Sequence, residues 1–312
     1  MQKKEAEIMD YVLTTNALCK QYGTFKALNA VSMHVPKGAI YGFVGKNGAG
    51  KTTLIRLICG LQAATSGEYT LYGRKSTDKA IDKSRRRMGA VVETPSIYLD
   101  MTAEDNLRVQ YRVLGLPSYD GLPELLKLVG LENTGKKKAK NFSLGMRQRL
   151  GIAVALCGDP DFLVLDEPVN GLDPQGIIEM RELILRLNRE HQITVLISSH
   201  ILDELSKLAT HYGFIDNGHI VKEISAAQLE EACRKCVSVK VTNVKALVRV
   251  LDEMGVDYKI FDDSRADIYA KMNISKLTFA LAKENCEVVS VQELDESLES
   301  YFMSLVGGGK NE

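Results

Sequence analysis

Apolar and polar residues alternate through YVLTTNALCKQY and again through ALNAVSMHVP, the pattern of half-buried strands, and predict an antiparallel pair near the start of the chain. AIYGFVG is apolar without alternation, which predicts a strand buried on both faces. The glycine-rich stretch GKNGAGKTT then turns the chain into TTLIRLICGL, whose apolar residues recur at helical spacing. SGEYTLYG reads as another short strand, and RMGAVVE, residues 87–93, as a buried strand ending at Thr94 and Pro95. From about 96 to 158 the periodicity is helical, with Thr102 and Asp105 spaced as a capping box ahead of AEDNLRVQYRVLG. FLVLDEP, a helix around 175–190, ITVLISSH, a helix from 201 and the strands YGFID and HIVKE follow. Strands alternating with helices predict an α/β fold on a parallel sheet, with 96–158 as an inserted helical subdomain.

The last part of the chain changes character. CVSVKV reads as a strand, VKALVRVLDEMG as a helix, DYKIFD and ADIYAKM as strands, SKLTFALAKEN as a helix and EVVSVQ as a strand. That βαββαβ order predicts a small α+β ferredoxin-like domain. A final helix, DESLESYFMSLVGG, follows. The expected layout is a tail at 1–10, a first domain at 11–222 and a C-terminal accessory domain at 223–312. No internal repeat is visible.

Composition narrows the partners. Forty basic residues balance forty acidic ones, so net charge calls for neither nucleic acid nor an anionic lipid surface. The basic runs Lys83, Arg85, Arg86, Arg87 and Lys136, Lys137, Lys138, Lys140 read as solvated faces. No apolar stretch approaches the ~20 residues of a membrane span, and MQKKEAEIMD carries no signal-like apolar region. The expected location is therefore the cytoplasm, with membrane contact only through a partner. Six scattered cysteines fit a reducing compartment, and the single CxxC, Cys233 and Cys236, lacks the further ligands of a zinc site.

Two motifs carry chemistry. Gly45-Lys46-Asn47-Gly48-Ala49-Gly50-Lys51-Thr52 matches the phosphate loop G-x4-G-K-[ST], between an apolar strand and a helix as that motif requires. Glycines let backbone N–H groups wrap phosphate oxygens, and the helix N-terminus adds partial positive charge. Lys51 is placed to reach the β- and γ-phosphates of ATP, Thr52 to ligate Mg2+, and Thr53 continues the same turn. The second motif is Phe162-Leu163-Val164-Leu165-Asp166-Glu167, a buried strand delivering two acids at its C-terminal end. Asp166 fits a Mg2+ ligand and Glu167 a general base.

Further residues resemble one family. Phe142-Ser143-Leu144-Gly145-Met146-Arg147-Gln148-Arg149 resembles the signature of ATP-binding cassette (ABC) proteins, usually LSGGQ. It keeps Ser143 and Gly145 and departs at Phe142, Leu144 and Met146. Asn170-Gly171-Leu172-Asp173 looks like that family's D-loop, His200 sits where its switch histidine sits, and Tyr22 where it places an aromatic on adenine. In motif order the resemblance spans about 10–222. It implies a P-loop, RecA-like nucleotide-binding domain with antiparallel β and helical subdomains. In this family Ser143 and its neighbouring N–H groups meet the γ-phosphate held by a second cassette, so a head-to-tail pair, a homodimer here, is implied. So is a separate transmembrane permease.

A narrower resemblance lies in VVETPSIYLDMTAEDNL, where Glu93 replaces the family's usual Gln and is implied as a metal-site residue with Thr52 and Asp166, followed by Pro95 and Tyr98. With the ending SLESYFMSLVGG, it resembles the bacitracin and lantibiotic self-protection subgroup. The expected function is ATP hydrolysis driving export of an antimicrobial peptide, from the inner face of the cell membrane. The alternative is a soluble ABC ATPase acting on ribosomes or nucleic acid. Such proteins usually carry two cassettes or a long coiled-coil insertion, and this chain has neither.

Overall fold

The computed structural model describes residues 10–233, 236–270, 273–294 and 298–307. The expected tail at 1–10 thus lies outside the described residues except for Asp10. The chain opens with β1 (Tyr11–Tyr22), β2 (Phe25–Pro36) and β3 (Ile40–Val44). Next come α1 (Lys51–Ile58), β4 (Ser66–Leu71), β5 (Arg74–Lys75), α2 (Ile81–Arg85) and β6 (Met88–Val91). The helical segment holds α3 (Ala103–Leu114), α4 (Leu122–Leu128) and α5 (Leu144–Leu156). It is followed by β7 (Phe162–Asp166), α6 (Pro174–His191), β8 (Thr194–Ser199), α7 (Leu202–Ser206), β9 (His211–Asp216) and β10 (His219–Ser225). After α8 (Ala226–Ala232) come β11 (Cys236–Val241), α9 (Val244–Met254), β12 (Tyr258–Ile260), β13 (Arg265–Ile268), α10 (Ile274–Lys283), β14 (Val288–Leu294) and α11 (Leu298–Gly307).

The central sheet runs β10-β9-β3-β8-β7-β6. Its strands pair in parallel except for β10, which runs antiparallel to β9. The strand leading into the phosphate loop (β3) and the strand ending in Asp166 (β7) are thus separated by β8. A second, antiparallel sheet runs β2-β1-β4-β5. One core joins the layers: Leu54, Ile55 and Ile58 of α1 pack with Leu18, Met33 and Leu71 of the antiparallel sheet and with Phe43, Val164 and Leu196 of the central one. At about 1.5–3 kcal/mol for each fully buried aliphatic side chain, this packing fixes α1 and the loop that precedes it. The capping box before α3 is formed, with Thr102 and Asp105 each bonding the other's backbone N–H.

Pattern reading passed over three short elements. β5 has two residues, α2 five and α8 seven, too few turns for periodicity to emerge. The first basic run is also less solvated than expected. Arg85 keeps only a quarter of its side chain exposed and bonds Tyr69 and Asp82, and Arg87 pairs with Asp161.

The chain forms two compact units, 1–226 and 227–312. The first runs past the expected limit at 222 because β10 continues to Ser225, and Glu223 is tied into the first unit by Tyr41 and His34. The second unit is a four-stranded antiparallel sheet, β12-β13-β11-β14, the strand order of a ferredoxin-like βαββαβ unit. Its core joins Val239, Val241 and Ile268 of the sheet to Leu247 and Leu251 of α9 and Leu277 and Leu281 of α10. The start of the expected last helix, 295–297, lies outside the described residues.

Candidate active site

The loop carrying Gly45, Asn47, Gly48 and Ala49 leaves the C-terminal end of β3 and enters α1 through Gly50. Gly50 has φ 110°, and a Cβ there would lie 2.6 Å from Ala27 O, so a side chain is excluded by both conformation and space. At Gly45 a Cβ would lie 2.6 Å from Ile215 O. The tight loop leaves the first N–H groups of α1 without intrahelical partners, the arrangement that receives anions. Lys51 and Thr52 open the helix, with Thr53 half-buried behind them. Lys51 is 6% exposed, and its Nζ donates to Gly45 O at 2.7 Å and Lys46 O at 3.2 Å.

The acidic pair meets this loop from β7. In the parallel register Asp166 lies beside Ser198 of β8. Asp166 is 2% exposed, and both its oxygens are engaged. Oδ2 accepts from Thr52 Oγ1 at 2.7 Å, and Oδ1 accepts from Ser198 Oγ at 2.6 Å. Glu167 has φ 51°, a left-handed conformation that a non-glycine residue holds only where its surroundings fix it. Here its N–H donates to Ser198 Oγ at 3.0 Å and to Ser198 O at 3.2 Å. That turn aims the Glu167 carboxylate back over the loop, with Oε1 3.1 Å from Lys51 Nζ and Oε2 2.6 Å from His200 Nδ1.

The site therefore holds a lysine on a carboxylate, a second carboxylate bonded to a hydroxyl, and a histidine beside the first carboxylate. Thr52 Oγ1 and the Asp166 carboxylate form a hard-oxygen pair that fits a small divalent ion such as Mg2+. Among the described residues no group of three or more His, Cys, Asp or Glu could hold a metal. Protein ligands alone would leave such an ion short, and the missing oxygens must come from water or from a phosphate ligand.

Other expected site residues stand apart from this cluster. Ser143 caps α5, its Oγ accepting from Met146 N at 3.2 Å, so the N-terminus of the signature helix is formed. Asp173 caps α6 in the same way through Gly176 N at 3.1 Å. The two caps are neighbours: a Cβ on Gly145 would lie 3.8 Å from Leu172 Cδ2. Tyr22 ends β1 with its ring half-exposed, and its hydroxyl donates to Gln62 Oε1. Glu93 departs from expectation. Strand β6 ends at Val91, and Glu93 follows with φ 61°. Its carboxylate engages Arg56 Nη2 at 2.5 Å rather than Thr52 or Asp166.

Comparison with known proteins bears on this geometry. The family model described as ABC transporter matches residues 28–170. The chain is 40% identical over 304 residues to the bacitracin transport ATP-binding protein BcrA of Bacillus licheniformis, covering 96% of this chain and 99% of that one. The chain belongs to the ABC transporter ATP-binding protein family. It is an ATP-binding subunit of an ABC transporter and an ATPase of that family. It is also 44% identical over 212 residues to the lantibiotic transport ATP-binding protein SrtF of Streptococcus pyogenes, covering 68% of this chain and 90% of that one. A solved ATP-binding cassette of an ABC transporter, MJ1267 in its ADP conformation, is 27% identical with a TM-score of 0.63, covering 71% of this chain and 94% of that one.

Two residues of the cassette's site escaped sequence reading. Ser198 cross-links the acidic pair, donating to Asp166 and accepting from Glu167. Its only signal was a polar pair closing the apolar strand ITVLISSH just before His200. Arg56 had no signal, since one arginine on a helix is ordinary. A groove of about 790 Å³ lies away from the phosphate loop, lined by β6, α2 and the C-terminal halves of α3 and α5, with Val92, Thr94, Ser96, Gln110 and Leu114 along it. Val113 and Leu114 on its rim are among the exposed apolar residues of the cassette, as is Tyr98 nearby in sequence.

Proposed function

We propose that this cassette works as a homodimer on the cytoplasmic face of the membrane and drives a separate permease that expels an antimicrobial peptide of the bacitracin or lantibiotic type. The observation that carries the reading is the match over nearly the whole chain, second unit included, to BcrA of Bacillus licheniformis, and at 36% identity to BcrA of Enterococcus faecalis. No helix among the described residues is long and apolar enough to cross a membrane. The groove beside β6 and α3, with exposed Val113 and Leu114, supports a docking place for a short permease helix.

In this reading Tyr22 stacks on adenine, and the loop from Gly45 to Gly50 with Lys51, Thr52 and Thr53 holds the phosphates. Thr52 and Asp166 would hold Mg2+, which would supply positive charge against the nucleotide phosphates. Lys51 exchanges Glu167 for the phosphates. That frees the Glu167 carboxylate to accept a proton from the water attacking the γ-phosphorus as the bond to the bridging oxygen breaks. His200 holds Glu167 in place, and Ser198 holds both acids. Ser143 and Gly145, at the exposed N-terminus of α5, meet the γ-phosphate bound by the partner copy, with Asp173 beside them. Glu93, where the chain leaves the sheet for the helical segment, links nucleotide state to permease contact.

The test is resistance in cells carrying the chain with its permease. Wild type raises the tolerated bacitracin or lantibiotic concentration, and Lys51→Ala abolishes the gain. Unchanged resistance in the Lys51→Ala strain refutes the reading. For Glu93, Ala reduces transport far more than nucleotide affinity while Gln keeps part of it. Full transport by Glu93→Ala removes the coupling role.

A further inference from the structure

Arg56 is one helical turn beyond Thr52 on α1, so the two side chains share a helix face. Thr52 bonds Asp166 and Arg56 bonds Glu93. Strand β6 runs parallel to β7 with Val91 opposite Leu165. Glu93 follows two residues past the end of β6, as Asp166 and Glu167 follow Leu165 of β7, so the two chain exits lie on the same edge of the sheet. A carboxylate emerging there would add a third negative charge to the acidic pair. Instead the left-handed backbone at Glu93 turns it onto the guanidinium, with 34% of the Arg56 side chain and 55% of the Glu93 side chain exposed. Glutamate is disfavoured in that conformation, and the ion pair is the one side-chain contact described for Glu93 there.

We propose that Arg56 is a positioning residue that parks Glu93 behind the metal site in the resting cassette and releases it when a divalent ion and nucleotide arrive. An ion held by Thr52 and Asp166 would put positive charge on the face of α1 that also carries Arg56, one helical turn on. It repels Arg56 and attracts Glu93, so the same event weakens the pair from both sides. An exposed ion pair shifts an equilibrium by about fivefold at most, which makes the latch easy to open. Release moves the segment from Glu93 to Ser96, of which Thr94 and Ser96 line the groove proposed for the permease. The proposal rests on the reading of Glu93 as the residue that reports nucleotide state.

Two measurements on the purified full-length chain, without permease or peptide, test it. The first titrates Mg2+ into a non-hydrolysable ATP analogue and follows nucleotide binding in wild type, Arg56→Ala, Glu93→Gln and the double variant. Arg56→Ala should lower the Mg2+ needed for half-maximal binding by about two- to fivefold. It should have no such effect in the Glu93→Gln background. An equal effect in both backgrounds means Arg56 acts on the metal or phosphates directly, and overturns the proposal. The second follows hydrogen exchange at residues 92–94 and 96. Protection falls in Arg56→Ala and in wild type given Mg2+ and nucleotide, and returns in the swapped pair Arg56→Glu with Glu93→Arg. Failure of the swap to restore protection also overturns it. Neither readout involves transport, so loss of the transporter reading in resistance assays leaves this result standing, and the reverse holds too.

Discussion

Replacing Glu167 with glutamine separates two jobs that the resting site gives to one side chain. The carboxylate is a proton acceptor in the proposed hydrolysis, and it is also the anion on which Lys51 rests, 3.1 Å away. Glutamine keeps the shape and can still offer an oxygen to Lys51, which retains Gly45 O and Lys46 O. The fold should therefore survive. Loss of a general base removes about 10²- to 10⁴-fold of rate. That corresponds to roughly 2.7–5.4 kcal/mol on the barrier. The second effect runs the other way. With glutamine the ammonium of Lys51 faces a neutral oxygen instead of a carboxylate, so the ion-pair part of the contact is lost and Lys51 leaves the amide more readily, by roughly 1 kcal/mol. ATP should then bind about fivefold tighter to the variant, since each 1.4 kcal/mol is tenfold.

Phosphate release measures the first effect, and titration calorimetry with Mg2+ and a non-hydrolysable analogue measures the second. Size-exclusion chromatography with ATP adds a third readout, because an intact nucleotide that is not hydrolysed keeps two cassettes joined. Turnover at the wild-type rate from a chain that stays monomeric would falsify the role of Glu167. Weaker nucleotide binding would refute the exchange of Lys51 between carboxylate and phosphate, even if turnover were lost.

Lys51→Ala removes both turnover and most nucleotide affinity, because the remaining phosphate contacts are backbone dipoles; hydrolysis by the purified variant would contradict the phosphate-loop reading. A chain ending after Ala226 keeps its ATP affinity, since every residue assigned to nucleotide lies in the first unit. The cut belongs there rather than after 223, where β10 would lose its last residues, and a folded shortened chain that fails to bind ATP would refute the separation. Burial holds the His211 imidazole below its ordinary 6.5, against the pull of Glu223. The folded state thus disfavours the proton, and stability is full above 6.5 and falls as pH drops through the lowered value. His211→Gln should flatten the acid side of a plot of Tm against pH, and an unchanged slope would remove His211 as the source.

The residues proposed to hold phosphate stand out in the sequence because the motif is written locally. The phosphate loop needs glycine at fixed offsets, and the acidic pair needs an apolar run to carry it to the end of a strand. The βαββαβ order of the second unit was legible for a similar reason, since α9 and α10, of eleven and ten residues, are long enough for their period to emerge between the strands. Ser198 was not legible as a functional residue. Its role depends on β8 lying between β3 and β7, and strand order is set by packing across the whole sheet. The limit of the first unit was missed by four residues because Glu223 belongs there through Tyr41 and His34, partners far away in sequence. Arg56 and Glu93 are 37 residues apart, and nothing in either neighbourhood announces the other.

These misses have a common physical origin that bears on how the cassette works. A motif records what a site binds, whereas the resting structure is shaped by what the site does with its charges when nothing is bound. Lys51, 6% exposed, cannot stand uncompensated, and Glu167 takes the place a phosphate would fill. Glu93 would add charge beside Asp166 and Glu167, and Arg56 holds it aside. Nucleotide and metal binding is then an exchange of ion pairs rather than the filling of a vacant charged pocket. The two exchanges differ in depth. The Lys51 and Glu167 pair is 6% and 18% exposed, and the Arg56 and Glu93 pair 34% and 55%. Screening by salt weakens exposed pairs far more than buried ones. Raising ionic strength should therefore loosen the segment around Glu93 before it alters the grip of Lys51. Hydrogen exchange at residues 92–94 and 96 would respond to salt at concentrations where nucleotide affinity, corrected for the general screening of ATP, has barely changed. Parallel salt dependence of the two would mean that the outer pair is no separate latch.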